Sequence, residues 1–177
     1  MSALMKVCLW SGAVLVAVAL TAPLSAAQQP GMRGMGPGGM QDPDHMKDMQ
    51  MFHELFQQRD RIVRRVTVIE KGVDTLTESD DPKVAGLIRA HVAAMAARVE
   101  QARPIHMRDP LFRAVFANAD RIIMKSEPTA KGVRVIETSK DPYVAKLIQA
   151  HAEVVSAFLQ NGMEEMHKNH EVPARTP

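Results

Sequence analysis

The sequence predicts an α+β domain of two tandem α-β-β-α repeats related by a pseudo-twofold axis, a four-stranded antiparallel sheet packed with helices. Three observations predict it. From Phe52 onward the chain matches itself at an offset of sixty residues without a gap. Each copy carries β-branched runs around a glycine turn, the pattern of a hairpin. Each copy also contains an Asp-Pro pair that opens an amphipathic stretch, the pattern of a capped helix.

The self-match includes Phe52/Phe112, Phe56/Phe116, Asp60-Arg61-Ile62/Asp120-Arg121-Ile122 and Lys71-Gly72-Val73/Lys131-Gly132-Val133. It continues through Ser79/Ser139, Asp81-Pro82/Asp141-Pro142, Val84-Ala85/Val144-Ala145, Leu87-Ile88/Leu147-Ile148 and Ala90-His91/Ala150-His151. Roughly four positions in ten agree over about forty-six residues, which establishes a duplication. Two copies are too few for a solenoid, so they should pack face to face.

Within each copy the periodicities change in the same order. Met49, Phe52, Leu55-Phe56 and Ile62-Val63 sit at helical spacing, and Phe112, Val115-Phe116 and Ala119 repeat the pattern behind Asp109-Pro110. Val66-Thr67-Val68-Ile69 and Val73-Asp74-Thr75-Leu76-Thr77 then read as strands parted by Glu70-Lys71-Gly72. Their counterparts are Ile122-Ile123-Met124 and Val133 to Thr138, with Pro128 expected at a strand end or in the turn because it cannot donate to a ladder. Asp81-Pro82 and Asp141-Pro142 start the second helix of each copy. Asp60-Arg61 and Asp120-Arg121 read as a repeated ion pair.

The flanks read differently. Lys6, the apolar stretch Val7–Leu20 and the small residues Ser25-Ala26-Ala27 have the order of a secretory signal peptide, with cleavage near Ala27; an uncleaved N-terminal anchor is the alternative. The expected organisation is therefore a signal peptide over 1–27, a disordered Gly/Pro/Met-rich tail over 28–44, and a single duplicated domain over 45–170. The copies span about 46–105 and 106–166, and 171–177 is a frayed C-terminal tail. The expected location is periplasmic or secreted, with no membrane span after cleavage.

Composition narrows the function. The 177 residues hold 22 Lys+Arg against 20 Asp+Glu, interspersed, and only 4% aromatics, so a nucleic-acid surface is not expected. The single cysteine, Cys8, lies in the leader, which removes disulfides, thiolate metal sites, covalent haem and cysteine nucleophiles from the mature chain. There is no glycine-rich phosphate loop, G-x-S-x-G elbow, H-E-x-x-H or C-x-x-C-H.

The informative polar residues lie on the two long helices. Val84, Leu87, Ile88, His91, Val92, Met95 and Val99 form one stripe, and Val144, Leu147, Ile148, His151, Val155, Phe158 and Leu159 form its counterpart. His91 and His151 are thus inside apolar stripes, where neutral imidazoles suit a transition metal or haem iron, and Met95 adds a thioether one turn from His91. The alternative is that each imidazole satisfies a backbone carbonyl or caps a hairpin. His53 and His106 are candidate additional ligands. Met32, Met35, Met40, His45, Met46, Met49, Met51 and His53 form a second soft-donor collection suited to copper. His167 and His170, one turn apart near a frayed end, are a third candidate pair.

The phrases Thr77-Glu78-Ser79-Asp80-Asp81-Pro82, Arg108-Asp109-Pro110-Leu111-Phe112 and Glu137-Thr138-Ser139-Lys140-Asp141-Pro142-Tyr143-Val144 resemble a group of uncharacterised secreted bacterial proteins with two tandem copies of a helix-hairpin-helix unit. The resemblance covers about Met46 to Pro173 and implies no activity. The Met/Gly tail is similar in composition to tails of periplasmic metal-stress proteins. The functional expectation is a periplasmic, non-enzymatic binding protein for a copper ion or non-covalent haem, with His91 and His151 as central ligands and Met95, His53 and His106 as additions. A periplasmic protein-interaction module with structural histidines and a small metal-dependent enzyme are the alternatives.

Overall fold

A computed structural model describes residues 42–175. The expected signal peptide and nearly all of the Gly/Pro/Met-rich tail, including Met32, Met35 and Met40, lie outside the described residues. The elements run α1 (Pro43–Gln57), β1 (Val63–Ile69), β2 (Gly72–Glu78), α2 (Pro82–Glu100), α3 (Pro110–Phe116), β3 (Ile123–Thr129), β4 (Gly132–Thr138), α4 (Pro142–Asn161) and the short α5 (Met163–Met166). The fold is α+β, a four-stranded antiparallel sheet packed with helices.

One local device opens the four longer helices. Asp42, Asp81, Asp109 and Asp141 are N-caps in extended backbone, each followed by proline in the first helical turn. Asp81 accepts from the backbone N–H of Lys83 at 2.9 Å, and Asp141 from that of Tyr143 at 2.9 Å. Asp42-Pro43 is the same signal inside the segment expected to be tail, and α1 accordingly begins before residue 45. The helix also ends earlier than its apolar spacing suggests. Gln57 is its last residue, Arg59–Arg61 form a 3₁₀ turn, and Val63 already begins β1. The β-branched pair Ile62-Val63 follows its strand propensity, not the helical spacing.

The arginines of the expected Asp60-Arg61 and Asp120-Arg121 pairs choose other partners. Arg61 donates to Asp81 at 2.8 Å and Arg121 to Asp141 at 2.9 Å, so each ties a 3₁₀ turn to the cap of its copy's long helix. Asp60 approaches only the neighbouring Arg59, at 3.9 Å.

The hairpins close through two-residue turns, Glu70-Lys71 and Ala130-Lys131, so the turns are shorter than expected and both glycines lie in strands. Pro128 is inside β3, opposite Val133, next to the closing pair Thr129 and Gly132. A closing pair exchanges hydrogen bonds, so the following residue points its backbone nitrogen away from the partner. That places the donorless nitrogen on the free side of an edge strand, where proline is tolerated.

The strand order is β1-β2-β4-β3. Each hairpin pairs within its copy, and β2 and β4 join the two, with Thr75 opposite Val135, the residue sixty positions on. The turns are tied reciprocally as well: the Ser79 N–H donates to the Lys131 carbonyl at 2.8 Å, and the Ser139 N–H to the Lys71 carbonyl at 2.9 Å. The glycines at either end of the β2·β4 pair are required by the neighbouring strand. A Cβ on Gly72 would stand 1.9 Å from the Glu137 carbonyl oxygen, and one on Gly132 would stand 2.0 Å from that of Thr77.

The long helices lie over one face of the sheet and cross between copies, α2 packing on β4 and α4 on β2. Val84 and Ile88 of α2 pack with Val133 and Val135, and Val144, Ile148 and Ala152 of α4 pack with Val73. A third cluster joins Phe56 of α1, Leu111, Phe112 and Val115 of α3, and Leu147, Val154 and Phe158 of α4. Arg98 of α2 is only 1% exposed and donates through Nε to Asp48 at 2.5 Å and through Nη1 to Asp42 at 3.1 Å, pinning α1 to α2.

Gly132→Ala should lower the unfolding free energy by about 1–3 kcal/mol or more, because overpacking forces backbone apart at the central seam. Gly86→Ala, on α2 where nothing lies within 4 Å, should raise it by about 0.5–1 kcal/mol through helix propensity. Urea unfolding of both variants checks the contrast.

Candidate functional site

The space between the sheet and α1, α2 and α4 is incompletely filled. A chamber of about 160 Å³ lies on the sheet side and one of about 120 Å³ on the helix side. His91, Met95 and His151 line both. The three residues singled out by the helical stripes are therefore brought to one place, at the junction of two connected chambers. Helical phase explains it: α2 and α4 cross the same sheet face, and His91 and His151 stand at equivalent positions on their apolar sides.

Three phenylalanines pack beside the imidazoles. Phe52 lies 5.7 Å from His91 between ring centroids, and Phe112 lies 5.0 Å from His151. Phe158 is 6.2 Å from Phe52 and 6.0 Å from Phe112. Burial among these apolar walls pushes the His91 pKa down to about 4, against the pull of the Asp48 charge. His151 is also pushed down to about 4, by burial first and then by the Arg64 charge, with Asp109 opposing. Both rings are neutral at physiological pH.

A neutral imidazole still carries one donor and one acceptor. Neither His91 nor His151 makes a hydrogen bond to any described residue, and His91 Nδ1 is sealed from solvent without a partner. The carbonyl or hairpin-capping partners that a purely structural histidine calls for are therefore missing. An unsatisfied buried polar group costs about 1–3 kcal/mol, which an external ligand would recover.

His106 joins the same surroundings. It lies between the copies with φ of 57°, a left-handed conformation uncommon for a residue with a side chain, and its ring lines the helix-side chamber. Its centroid is 4.7 Å from Phe112, and its Nε2 is buried with no hydrogen bond, 4.0 Å from Asp109. Burial lowers its pKa, with Asp109 opposing. Met49 and Met166 line this chamber too, so three imidazoles and three thioethers share one wall system.

His53 does not join them. It lies exposed on α1, 2.8 Å from the Gln57 side chain. Met46 is 74% exposed, so the N-terminal Met/His collection is divided: Met49 reaches the chamber while Met46 and His53 face outward. His167 and His170 are not a pair. His167 is exposed, whereas His170 is held by Asp109 at 2.5 Å and Glu165 at 3.1 Å. Burial disfavours the His170 cation, but the two carboxylates outweigh it and raise its pKa. The end of the described chain is docked and not frayed, with the Arg175 guanidinium 4.2 Å over the Tyr143 ring.

Sequence reasoning overlooked the sheet's contribution. Arg64 of β1 and Glu137 of β4 project from the helix-facing side and line the sheet-side chamber beside Thr75 and Thr77. The signal was present as alternation: Arg64 shares a strand face with Val66, and Glu137 shares one with Val133 and Val135. Among the described residues, no group of three or more His, Cys, Asp or Glu side chains could hold a metal ion.

Acid should destabilise the metal-free protein between pH 6.5 and about 4, because there the unfolded chain protonates His91 and His151 while the folded chain does not. Their contribution is complete above pH 6.5 and falls as pH falls, by about 1.4 kcal/mol per unit for each histidine. Glu137, whose pKa burial raises, acts with opposite sign. Urea titrations of the wild type and of His91→Leu/His151→Leu at each pH isolate the histidine slope, which should vanish in the variant.

No family model, no curated protein and no solved structure matches the chain.

Proposed function

We propose that this is an exported, periplasmic or secreted, non-enzymatic protein that binds copper in its interior through His91, His151 and Met95. The observation that carries the reading is the pair of neutral imidazoles, without hydrogen-bond partners among the described residues, sharing a cavity with a thioether. Neutral imidazole and thioether are the donor types that suit copper, and Cu(I) in particular. In the same reading the two copies are related by a pseudo-twofold axis passing between Thr75 and Val135, which makes His91 and His151 mates.

The size of the space favours an ion over haem. A dry cavity of about 150 Å³ holds a molecule the size of benzene, and the sheet-side chamber is about 160 Å³. A porphyrin macrocycle would require α2 and α4 to separate. No helix among the described residues is long and apolar enough to cross a membrane, in keeping with a protein released from its leader.

Residues 28–177, purified without a His tag, should take up near-stoichiometric Cu(I) in competition with a chromophoric chelator. His91→Leu/His151→Leu should weaken that affinity by about a hundredfold or more. It should leave the metal-free melting temperature unchanged or higher, since an apolar replacement removes unsatisfied polar groups. A melting temperature that falls, with no copper bound by either protein, would make the histidines structural and favour a protein-interaction role.

A further inference from the structure

The sheet-side chamber has a feature that copper does not use. Arg64 projects into it, and its guanidinium has one hydrogen bond, from Nη1 to the Thr77 hydroxyl at 2.9 Å. Its Nε is sealed from solvent with no partner, and no carboxylate among the described residues lies within ion-pairing distance. A guanidinium cannot shed its proton, so this cation is permanent, and a buried charge is tolerated only when something compensates it. Glu137 faces the same chamber and feels the Arg64 charge, but it stands beyond ion-pair reach and has no hydrogen bond to a described residue.

The second copy has no cation at the equivalent position. Position 124, the counterpart of Arg64, is methionine, and it also lines this chamber. A residue of similar length without charge therefore fills the equivalent place. Apart from Thr75 and the imidazoles of His91 and His151, the remaining wall is apolar, formed by side chains such as Leu55, Ile88, Val135 and Val155.

We infer that the sheet-side chamber binds a small apolar monocarboxylate, whose carboxylate pairs with the free edge of the Arg64 guanidinium while its hydrocarbon body fills the space between the sheet and α2 and α4. The fork of a guanidinium matches the two oxygens of a carboxylate, which selects this head group over a neutral one. The volume of about 160 Å³ sets the body near the size of a benzene ring or a short alkyl chain. Thr77 already fixes the orientation of the guanidinium.

The test is isothermal titration calorimetry on chelator-treated, metal-free protein, residues 28–177, with benzoate, hexanoate, benzamide and toluene. The carboxylates should bind more tightly than their neutral analogues. Arg64→Met should weaken benzoate by about ten- to a hundredfold while leaving toluene unchanged. Glu137→Gln, which removes a like charge from the chamber, should tighten it. Equal binding of benzoate and benzamide to the wild type, no binding of either carboxylate, or unchanged benzoate affinity in Arg64→Met would overturn the inference. If Arg64→Met fails to fold, the wild-type comparison of charged and neutral ligands decides. The result is separable from the copper reading, because Arg64 is not a metal donor and no metal is present.

Discussion

The antiparallel pairing of β2 with β4 is the constraint on which the molecule depends. A two-stranded hairpin alone is marginal in water, and each copy supplies only one. Joining them back to back produces four strands with a continuous face for the helices. The helices then cross, α2 onto β4 and α4 onto β2, so each long helix packs on a strand of the other copy. Gly72 and Gly132 let the two inner strands approach at both ends of the seam. Because both crossing helices lie on the same side, their apolar stripes both turn toward that sheet face, and the histidines within those stripes come to line a shared cavity.

The copies solve one packing problem in two ways, and the difference shapes the site. Position 98 is arginine, buried in an ionic network with Asp48 and Asp42 that fixes α1 on α2. Its counterpart is Phe158, which packs against Phe52 and Phe112 in the ring cluster beside the imidazoles. Similarly, Arg64 and Met124 are counterparts, as are Thr77 and Glu137. Charge therefore lies on the inner sheet face of a cavity whose helix face carries the histidines. Buried ionic groups are costly compared with apolar packing; Arg98 holds helices although its Nη2 has no partner, and Arg64 Nε, His91 Nδ1 and His106 Nε2 stand without partners at the chamber walls.

Much of this was legible in the residues because the signals were local. The Asp-Pro caps, the glycine turns and the period-two and helical patterns each report on a few neighbouring positions, and the duplication repeats every one of them. His91, Met95 and His151 were legible for the same reason: each sits at a defined phase of an apolar stripe. Less legible were features set by packing between distant segments. Arg61 and Arg121 reach helix caps twenty residues away instead of their sequence neighbours, and His170 is captured by Asp109. Ile62-Val63 satisfied two periodicities at once, and only the strand pairing decided between them. Arg64 and Glu137 were visible by alternation but were not singled out, since alternation alone does not say which face a sheet buries.

The central claim is that the imidazoles of His91 and His151 are held neutral and unpartnered as ligands for a soft ion. The Cu K-edge X-ray absorption spectrum of the stoichiometric Cu(I) complex tests it most directly. A shell of imidazole nitrogen with its outer-ring scattering, accompanied by sulfur that disappears in Met95→Leu, is the predicted result. A shell of light atoms without imidazole scattering, or a sulfur signal unaffected by Met95→Leu and by His91→Leu/His151→Leu, would contradict it.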